Sequence, residues 1–286
     1  MEFNVDSLTP QQKQYWLQQL VAPRPIALAS TIDRNGNVNL SPFSFFNLFS
    51  IDPPILVFSP SRRLRDNTTK HTLQNILEVP EVCINSVSYD MVQQTSLASC
   101  EYYKCVDEFD KAGFTKEPSV LIKPPRVRET PASFECKVLE VKPLGDNAGA
   151  GNLVICEVLY IHMQDGFEKQ PDLVARLGGN WYARINKNNM FEVNKPNTKL
   201  GIGIDMLPGH IRWSKTLTGN HLGMLANVET LPARDESYRD ERLQALHQYF
   251  HNGNKEQRIE QYAVSLLDQN RVDDAWQVLL SLNYLS

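Results

Sequence analysis

The hydrophobic period of the chain changes at Arg24, and this change constrains the fold more than any other feature. Before it, Thr9 and Pro10 stand ahead of a glutamine-rich stretch, with Gln12 three residues after the hydroxyl, which predicts a helix start and a short helix to about residue 20. From Arg24 onward larger side chains alternate with small ones, as in a strand. The small-residue face, at 27, 29 and 31, predicts that something bulky lies against this strand.

Further strands follow at short intervals and without a regular strand–helix–strand repeat. An Asn-Gly turn at 33–37 predicts a hairpin. Strands are predicted at 38–41, 55–59, 81–87, 134–138 and 153–161, and helices at 70–78 and 89–98. The stretch 153–161 is apolar on nearly both faces, which predicts a central strand buried from two sides. The pattern predicts a mainly β fold: an antiparallel barrel with helical insertions.

The character of the sequence changes after about residue 191. We predict a barrel domain over residues 1–190 and an extended linker packing on the barrel over 191–236. An all-α extension is predicted over 237–286, because apolar residues there recur at helical spacing in three segments. The first of these stripes ends at Phe250.

Composition excludes several classes of function. A net charge of −4 and a pI near 5.9 argue against a nucleic-acid-binding protein. No apolar stretch approaches the roughly 20 residues of a membrane span, and the N-terminus lacks the pattern of a signal peptide, so we expect a cytoplasmic protein without membrane contact. The five cysteines include no Cys-x-x-Cys pair, and Cys83, Cys136 and Cys156 lie in strand-like runs that predict buried, structural thiols.

A basic segment at 59–72 (SPSRRLRDNTTKHT) is the first candidate for chemistry. It ends a strand, carries three arginines, and opens a helix with a lysine and a threonine. Free N–H groups and the positive end of the helix dipole favour an anion there, and arginine adds a fork matched to phosphate. The alternative is a solvated basic loop. A Walker-type phosphate loop is excluded, because the chain has no Gly-x-x-x-x-Gly-Lys sequence.

The second candidate is the stretch 41–47 (SPFSFFN), in which two serines and an asparagine interleave with three phenylalanines. Such a mixture offers apolar faces and polar edge contacts to a flat heteroaromatic ring. For the phenylalanines we favour simple packing in the core; for Ser44 and Asn47 we favour a ligand.

Several ordered motifs resemble the flavin reductase-like, FMN-binding split-barrel family. They are 24–31 (RPIALAST), 41–47, 53–59 (PPILVFS), 70–76 (KHTLQNI), 106–114 (VDEFDKAGF) and 176–182 (RLGGNWY). The resemblance covers roughly residues 20–185. His71 departs from the aspartate common at that position, a change that adds no anion beside the proposed phosphate. The resemblance implies a split β-barrel that is antiparallel and Greek-key-like, and a homodimer with the flavin at the interface.

Carried over residue by residue, the resemblance implies three groups of cofactor contacts. The FMN phosphate is assigned to Ser59, Arg62, Arg63, Lys70 and Thr72. The ribityl chain and ring edge are assigned to Thr31, Ser41, Pro42, Phe43, Ser44 and Asn47, partly through backbone N–H groups. The isoalloxazine is assigned to Gly178, Gly179 and Tyr182, from either subunit.

The implied function is an FMN-dependent oxidoreductase in which NAD(P)H passes a hydride to the flavin N5 and a small molecule accepts the electrons. Since the flavin carries the chemistry, no catalytic side chain is required. A variant of this hypothesis is a flavin reductase that treats FMN as an exchangeable substrate. A hypothesis of another class is a non-catalytic flavin-binding or sensing module whose C-terminal helices dock a partner.

Other titratable residues carry weaker alternatives. His247 and His251 lie four apart on a predicted helix, a spacing that can bind metal, but no His-Glu-x-x-His pattern occurs and we predict no metal site. The carboxylates at 107, 108 and 110 are predicted to be a solvated loop that caps the following turn. His162, at the end of a strand, is predicted to be a hydrogen-bonded core histidine.

Overall fold

A computed structural model describes residues 2–193, 202–249 and 255–284. The chain divides into two compact units, Met1–Met190 and Phe191–Ser286, called the barrel unit and the helical unit below.

Twelve strands are found in the described part of the barrel unit. They are β1 (Arg24–Pro25), β2 (Ala27–Ile32), β3 (Val38–Phe43), β4 (Phe46–Ile51), β5 (Pro54–Phe58), β6 (Glu81–Asn85), β7 (Lys116–Glu117), β8 (Arg126–Val127), β9 (Ala132–Pro143), β10 (Asn152–Met163), β11 (Leu173–Arg176) and β12 (Tyr182–Ile185).

The main sheet has seven strands in the order β3-β2-β6-β9-β10-β5-β4, and every neighbouring pair is antiparallel. Its two ends, β3 and β4, are consecutive in the chain but do not pair, so the barrel stays open. A second sheet has the order β1-β11-β12, and β7 pairs with β8. The predicted fold class, a mainly β and antiparallel split barrel with helical insertions, is confirmed.

Four α-helices accompany the strands in the described part of the barrel unit: α1 (Pro10–Leu20), α2 (His71–Glu78), α3 (Val92–Leu97) and α4 (Glu108–Ala112). The predicted start of α1 is present as a capping box, in which the Thr9 hydroxyl accepts from the Gln12 N–H and the Gln12 side chain accepts from the Thr9 N–H.

The bulky element predicted against the small-residue face of β2 is α2. Ala27 and Ala29 share a buried cluster with Leu73 and Ile76 of that helix. Because methyl groups leave room beside the strand, the helix can approach the sheet closely, and this packing fixes the position where α2 begins.

Strand β10 differs from its prediction. Its first half is buried at alternate positions, but Leu159, Tyr160 and Ile161 are 41%, 42% and 60% exposed. In its second half β10 pairs only with β9, because its pairing with β5 stops at Glu157. The apolar run is therefore an exposed surface of the barrel unit rather than a strand buried from two sides.

The helical unit contains five α-helices in its described residues: α5 (Gly209–Arg212), α6 (Gly219–Ala226), α7 (Glu241–Tyr249), α8 (Lys255–Leu267) and α9 (Val272–Leu280). The prediction of an extended linker over 191–236 differs from this result at α5 and α6. Ile211 and Leu225, from these two helices, share one buried core with Ile259, Leu266 and Trp276. The apolar residues of α5 and α6 are too few to show a helical period in the sequence, so these two helices are defined only by the packing of the folded unit.

No helix in residues 2–193, 202–249 or 255–284 is long and apolar enough to cross a membrane. Phe250, which ended the predicted first stripe, lies outside the described residues.

Candidate functional site

A small pocket opens between the start of α2, strand β3 and the segment before α4. We call it the basic pocket. Four of the predicted cofactor contacts line it together: Ser41, Arg63, Lys70 and Thr72. Its other lining residues are Asn39, His71, Cys100, Glu101, Tyr102 and Glu108.

Two cations face this pocket from the loop and the helix start. The Arg63 guanidinium is fixed by hydrogen bonds from Nη1 to Thr68 Oγ1 at 2.9 Å and to the Thr69 carbonyl at 2.6 Å. The ammonium of Lys70, at the N-cap of α2, forms no hydrogen bond or ion pair with any other described residue. Burial, and then the charge of Arg63, lower the pKa of Lys70. The positive charge of the pocket is thus incompletely compensated.

The helix start adds donors to the same place. Lys70 cannot accept a hydrogen bond with its side chain, and α2 has no side-chain cap. The first residues of α2 line the pocket, and the backbone N–H groups of this first turn are not taken up by a capping side chain. Burial, followed by Arg63, Lys104 and Lys70, also lowers the pKa of His71, so this ring is held neutral beside the cations.

A chain of buried hydrogen bonds forms the floor of the pocket. The Thr72 hydroxyl donates to Asn39 Oδ1 at 2.6 Å, and Asn39 Nδ2 donates to Glu108 Oε1 at 2.7 Å. Glu108 Oε2 accepts from the Leu40 N–H at 3.0 Å. Thr72 is therefore committed to the floor through its side chain, which holds the start of α2 against β3.

Glu108 corrects the prediction of a solvated acidic loop. Asp107 does cap the following turn, because its side chain accepts from the Phe109 N–H at 2.9 Å. Glu108, in contrast, is only 4% exposed, and burial raises its pKa despite the hydrogen bonds that it accepts. The physical reason is that α4 turns this one carboxylate inward onto β3, while Asp110 stays outside.

An acidic residue closes the outer side of the pocket. The Glu101 carboxylate lies 3.1 Å from Arg63 Nε and 2.7 Å from Arg65 Nη2. The fork of Arg63 is thus shared between its own loop and a carboxylate. Nothing in the sequence spacing predicts this contact, since Glu101 comes from a distant segment. Asn39 could have been found, because it shares a strand face with Ser41.

Seven predicted phosphate or ribityl contacts lie outside the lining of the basic pocket, and three of them are Arg62, Ser59 and Thr31. Arg62 donates from Nε and Nη2 to Asn67, both at 2.7 Å, and so holds its own loop together. Ser59 is buried against Gly151, where a Cβ would lie 2.6 Å from the Ser59 hydroxyl. Thr31 is fully buried and its hydroxyl accepts from Asn75 Nδ2 of α2.

The stretch 41–47 turns from β3 into β4 at the open edges of the sheet. Phe43 packs in the core, with its ring centroid 5.4 Å from that of Phe58. Pro42 and Ser44 are half-buried, and Asn47 is exposed, with its side-chain oxygen accepting from the Leu48 N–H. Apart from Ser41, none of these residues lines the basic pocket.

The predicted contacts at 178–182 form the loop between β11 and β12. Tyr182 lines a second cavity of about 510 Å³, called the hairpin cleft, between these strands and α3. Gly179 has a φ of +60°, a left-handed conformation suited to glycine, and its carbonyl accepts from Arg176 Nη2 at 2.5 Å. Gly178 is buried next to Gln19 of α1.

The three strand cysteines and His162 have contacts inside the barrel unit. Burial raises the pKa of Cys83, of Cys136 and of Cys156, the last to about 12, so these thiols stay protonated. His162 is hydrogen-bonded to Glu135 at 2.7 Å, as predicted for a core histidine.

His247 is hydrogen-bonded to Ser281 at 3.2 Å, and His251 lies outside the described residues. Within the described ranges no group of three or more His, Cys, Asp or Glu side chains could hold a metal ion.

An open antiparallel barrel with a basic pocket at a helix start defines a split-barrel protein. The chain belongs to the flavin reductase like domain family, whose model matches residues 21–179. This match lies within the barrel unit, so the family assignment rests on that unit alone.

The chain is also similar to individual proteins. A protein from Aquifex aeolicus is 38% identical over 174 residues, which are 58% of this chain and 86% of the relative. The crystal structure of nitrilotriacetate monooxygenase component B from Bacillus cereus superposes with a TM-score of 0.63 at 24% identity, over 68% of this chain and 98% of that one. The 2-nitrobenzoate 2-nitroreductase NbaA of Pseudomonas fluorescens gives a TM-score of 0.60 at 26% identity, over 68% and 96% of the two chains.

Proposed function

We propose that this chain binds FMN through the basic pocket and acts as an oxidoreductase that NADH or NADPH reduces. The observation that carries the proposal is the partly buried ammonium of Lys70, which lies beside Arg63 at the start of a helix and has no ion-pair partner in the described part of the chain. A phosphate monoester supplies the missing negative charge and accepts from the free N–H groups of α2. The solved relative NbaA, at 26% identity, is a nitroreductase by name, which supports redox chemistry.

The residues present fit the phosphate end of FMN. Arg63 and Lys70 would hold it, Thr72 and Asn39 would keep the helix start in place, and Ser41 would donate or accept at the first ribityl positions. FMN, when bound, supplies the ability to take up a hydride and release its electrons to an acceptor. The protein would contribute orientation and charge.

A homodimer is part of the proposal. The β4 edge exposes Phe49 and Ile51, at 69% and 76%, and the outer half of β10 exposes Ile161 and Met163, at 60% and 56%. Exposed apolar patches of this kind mark interaction surfaces, and an unpaired edge strand invites a second copy. Sedimentation equilibrium tests it: we expect a dimer, and a monomer at micromolar concentration would remove this part of the proposal.

The first experiment is an absorbance spectrum of the purified full chain with added FMN, followed by anaerobic NADH or NADPH. We expect a bound flavin whose visible absorbance bleaches on reduction. Protein that takes up no FMN would refute the proposal. Binding without bleaching by either nucleotide would remove the oxidoreductase and leave a flavin-binding module. Slow loss of FMN on dialysis would indicate a resident cofactor, and rapid loss an exchangeable flavin substrate.

Variants then test the pocket itself. Lys70→Met should weaken FMN binding about 10- to 100-fold, the usual effect of losing a hydrogen bond to a charged group. It should leave the affinity for riboflavin, which has no phosphate, nearly unchanged. The matched control is Lys142→Met, which removes the same charge from an exposed position on β9. Equal losses for FMN and riboflavin would place the phosphate elsewhere.

A further inference from the structure

The hairpin cleft has a chemically distinct wall built by strand alternation. Arg176 pairs with Tyr182, and Val174 with Arg184, across β11 and β12. Because residues two apart on a strand share a face, all four side chains line the cleft from one side. The opposite wall is α3 with the turn before it, which contributes Tyr89 and polar side chains.

The charge of this wall is positive and only half compensated. Arg184 donates from Nε and Nη2 to Asp172, both at 2.7 Å, and its guanidinium lies 3.9 Å from the Tyr89 ring centroid. Arg176 has no carboxylate within ion-pair distance among the described residues. It donates instead to the carbonyl of Gly179, and none of the described residues lining the cleft is acidic.

The guanidinium of Arg24 increases this excess of positive charge. Arg24, opposite Arg176 in the strand pairing, is only 7% exposed and donates to the backbone carbonyls of Gln18, Val21 and Leu177. Its Nε has no partner among the described residues. Two neighbouring guanidinium groups therefore share no carboxylate, and an anion near Arg176 would relieve their repulsion.

The shape of the cleft selects a flat anion. The Arg176 guanidinium lies over the Tyr182 ring, 4.4 Å from the ring centroid, so a cation and an aromatic group are adjacent on one wall of the cleft. Val92 and Val174 add apolar contact, and the volume of about 510 Å³ lies in the range of small-molecule sites. An arginine fork pairs with a carboxylate through two parallel hydrogen bonds.

We propose that the hairpin cleft binds a small aromatic carboxylate, with its carboxylate on Arg176 and its ring against Tyr182 and Val174. The binding of this ligand does not depend on the function proposed above. Its role as a substrate of the flavoprotein rests on that function.

Isothermal titration of the full chain tests the site with benzoate and with neutral benzamide. We expect benzoate to bind at least about tenfold more tightly than benzamide, because the amide lacks the charge that Arg176 requires. Arg176→Gln should weaken benzoate binding about tenfold and leave benzamide unchanged, and Arg176→Lys, which keeps the charge but loses the fork, should fall between. Arg128→Gln, outside the cleft, should bind benzoate like the natural chain, and circular dichroism establishes that each variant is folded.

Three results would overturn the proposal. They are equal binding of benzoate and benzamide, an Arg176→Gln protein that binds benzoate normally, and release of FMN as benzoate is added, which would show that the cleft holds the flavin ring. Failure of the function proposed above is recognised separately, because it appears as absent flavin uptake or absent bleaching in the spectrum, whereas the titration also works on flavin-free protein.

Discussion

Glu101 offers a test of the basic pocket that should strengthen binding rather than abolish it. Its carboxylate contacts Arg63 at 3.1 Å and Arg65 at 2.7 Å, at the outer side of the pocket. A phosphate on Arg63 and Lys70 would therefore lie close to a like charge and would compete with it for Arg63. We predict that Glu101→Gln binds FMN more tightly than the natural chain.

The magnitude follows from Coulomb's law. Two unit charges roughly 6 Å apart interact by about 0.7 kcal/mol in water and by about 2.8 kcal/mol at the effective dielectric of 20 found near protein surfaces. Because 42% of the Glu101 side chain is exposed, screening favours the lower part of this range. About 1 kcal/mol of repulsion removed corresponds to a roughly fivefold lower Kd.

Quenching of flavin fluorescence during titration of the flavin-free protein measures this Kd. The gain in FMN affinity should shrink as the salt concentration is raised from low to about 0.5 M, since added ions screen the repulsion between Glu101 and the phosphate. It should be absent for riboflavin and for Glu140→Gln, an exposed acid on β9. Unchanged or weaker FMN binding by Glu101→Gln would show that this carboxylate does not oppose the phosphate.

Four further variants test contacts inside the barrel unit and inside the helical unit. Burial opposes ionisation of Glu135, but hydrogen bonds from His162 and two backbone N–H groups outweigh burial and lower the pKa of Glu135 below its value in the unfolded chain. The ionised carboxylate therefore stabilises the folded chain above about pH 4.5, and this contribution to stability is lost as the pH falls. Glu135→Gln should therefore cost about 3 kcal/mol in urea unfolding at pH 7 and should flatten the decline of stability towards pH 3, and an unchanged acid limb would contradict this. Gly179→Ala should lower stability by about 1 kcal/mol through its positive φ, whereas Gly178→Ala displaces only the flexible end of Gln19 and should cost less; equal effects would count against the backbone explanation. Trp276→Ala, in the fully buried core of the helical unit, should cost about 3–5 kcal/mol and lower the melting temperature followed by far-ultraviolet circular dichroism, and a shift below about 2 °C would refute that packing.

Local chemistry explains which parts of the fold could be predicted. The capping box at Thr9, the turn at Asn35-Gly36 and the alternation of β2 are short-range patterns, and each appears where it was predicted. The exposure of β10 could not be predicted, because it depends on how far β5 extends alongside it. The helices α5 and α6 were missed for a similar reason, since only the core that they share with α8 and α9 defines them.

The same difference between local and tertiary contacts separates the residues of the candidate site that could be predicted from those that could not. The order of strand, arginines and helix start brought Arg63, Lys70 and Thr72 to one pocket, because these residues are close in sequence. Glu101 and Glu108 reach the pocket through tertiary contacts from another segment, so their spacing gave no indication. The two arginines of 62–63 look alike in sequence, and only the hydrogen bonds to Asn67 separate the structural one from its neighbour.

The strand order also has a consequence for how the chain folds. β5 pairs on one side with β4, which precedes it directly, and on the other side with β10, with Phe58 opposite Val154, so the barrel cannot be completed until most of its unit has been synthesised. Such non-local pairing slows folding, while the short-range helix contacts of α8 and α9 form quickly. During synthesis β5 keeps one side unpaired until β10 emerges, which makes a nascent chain truncated before residue 152 prone to aggregation. Expression trials of shortened barrels should therefore end after Met163 rather than inside β10.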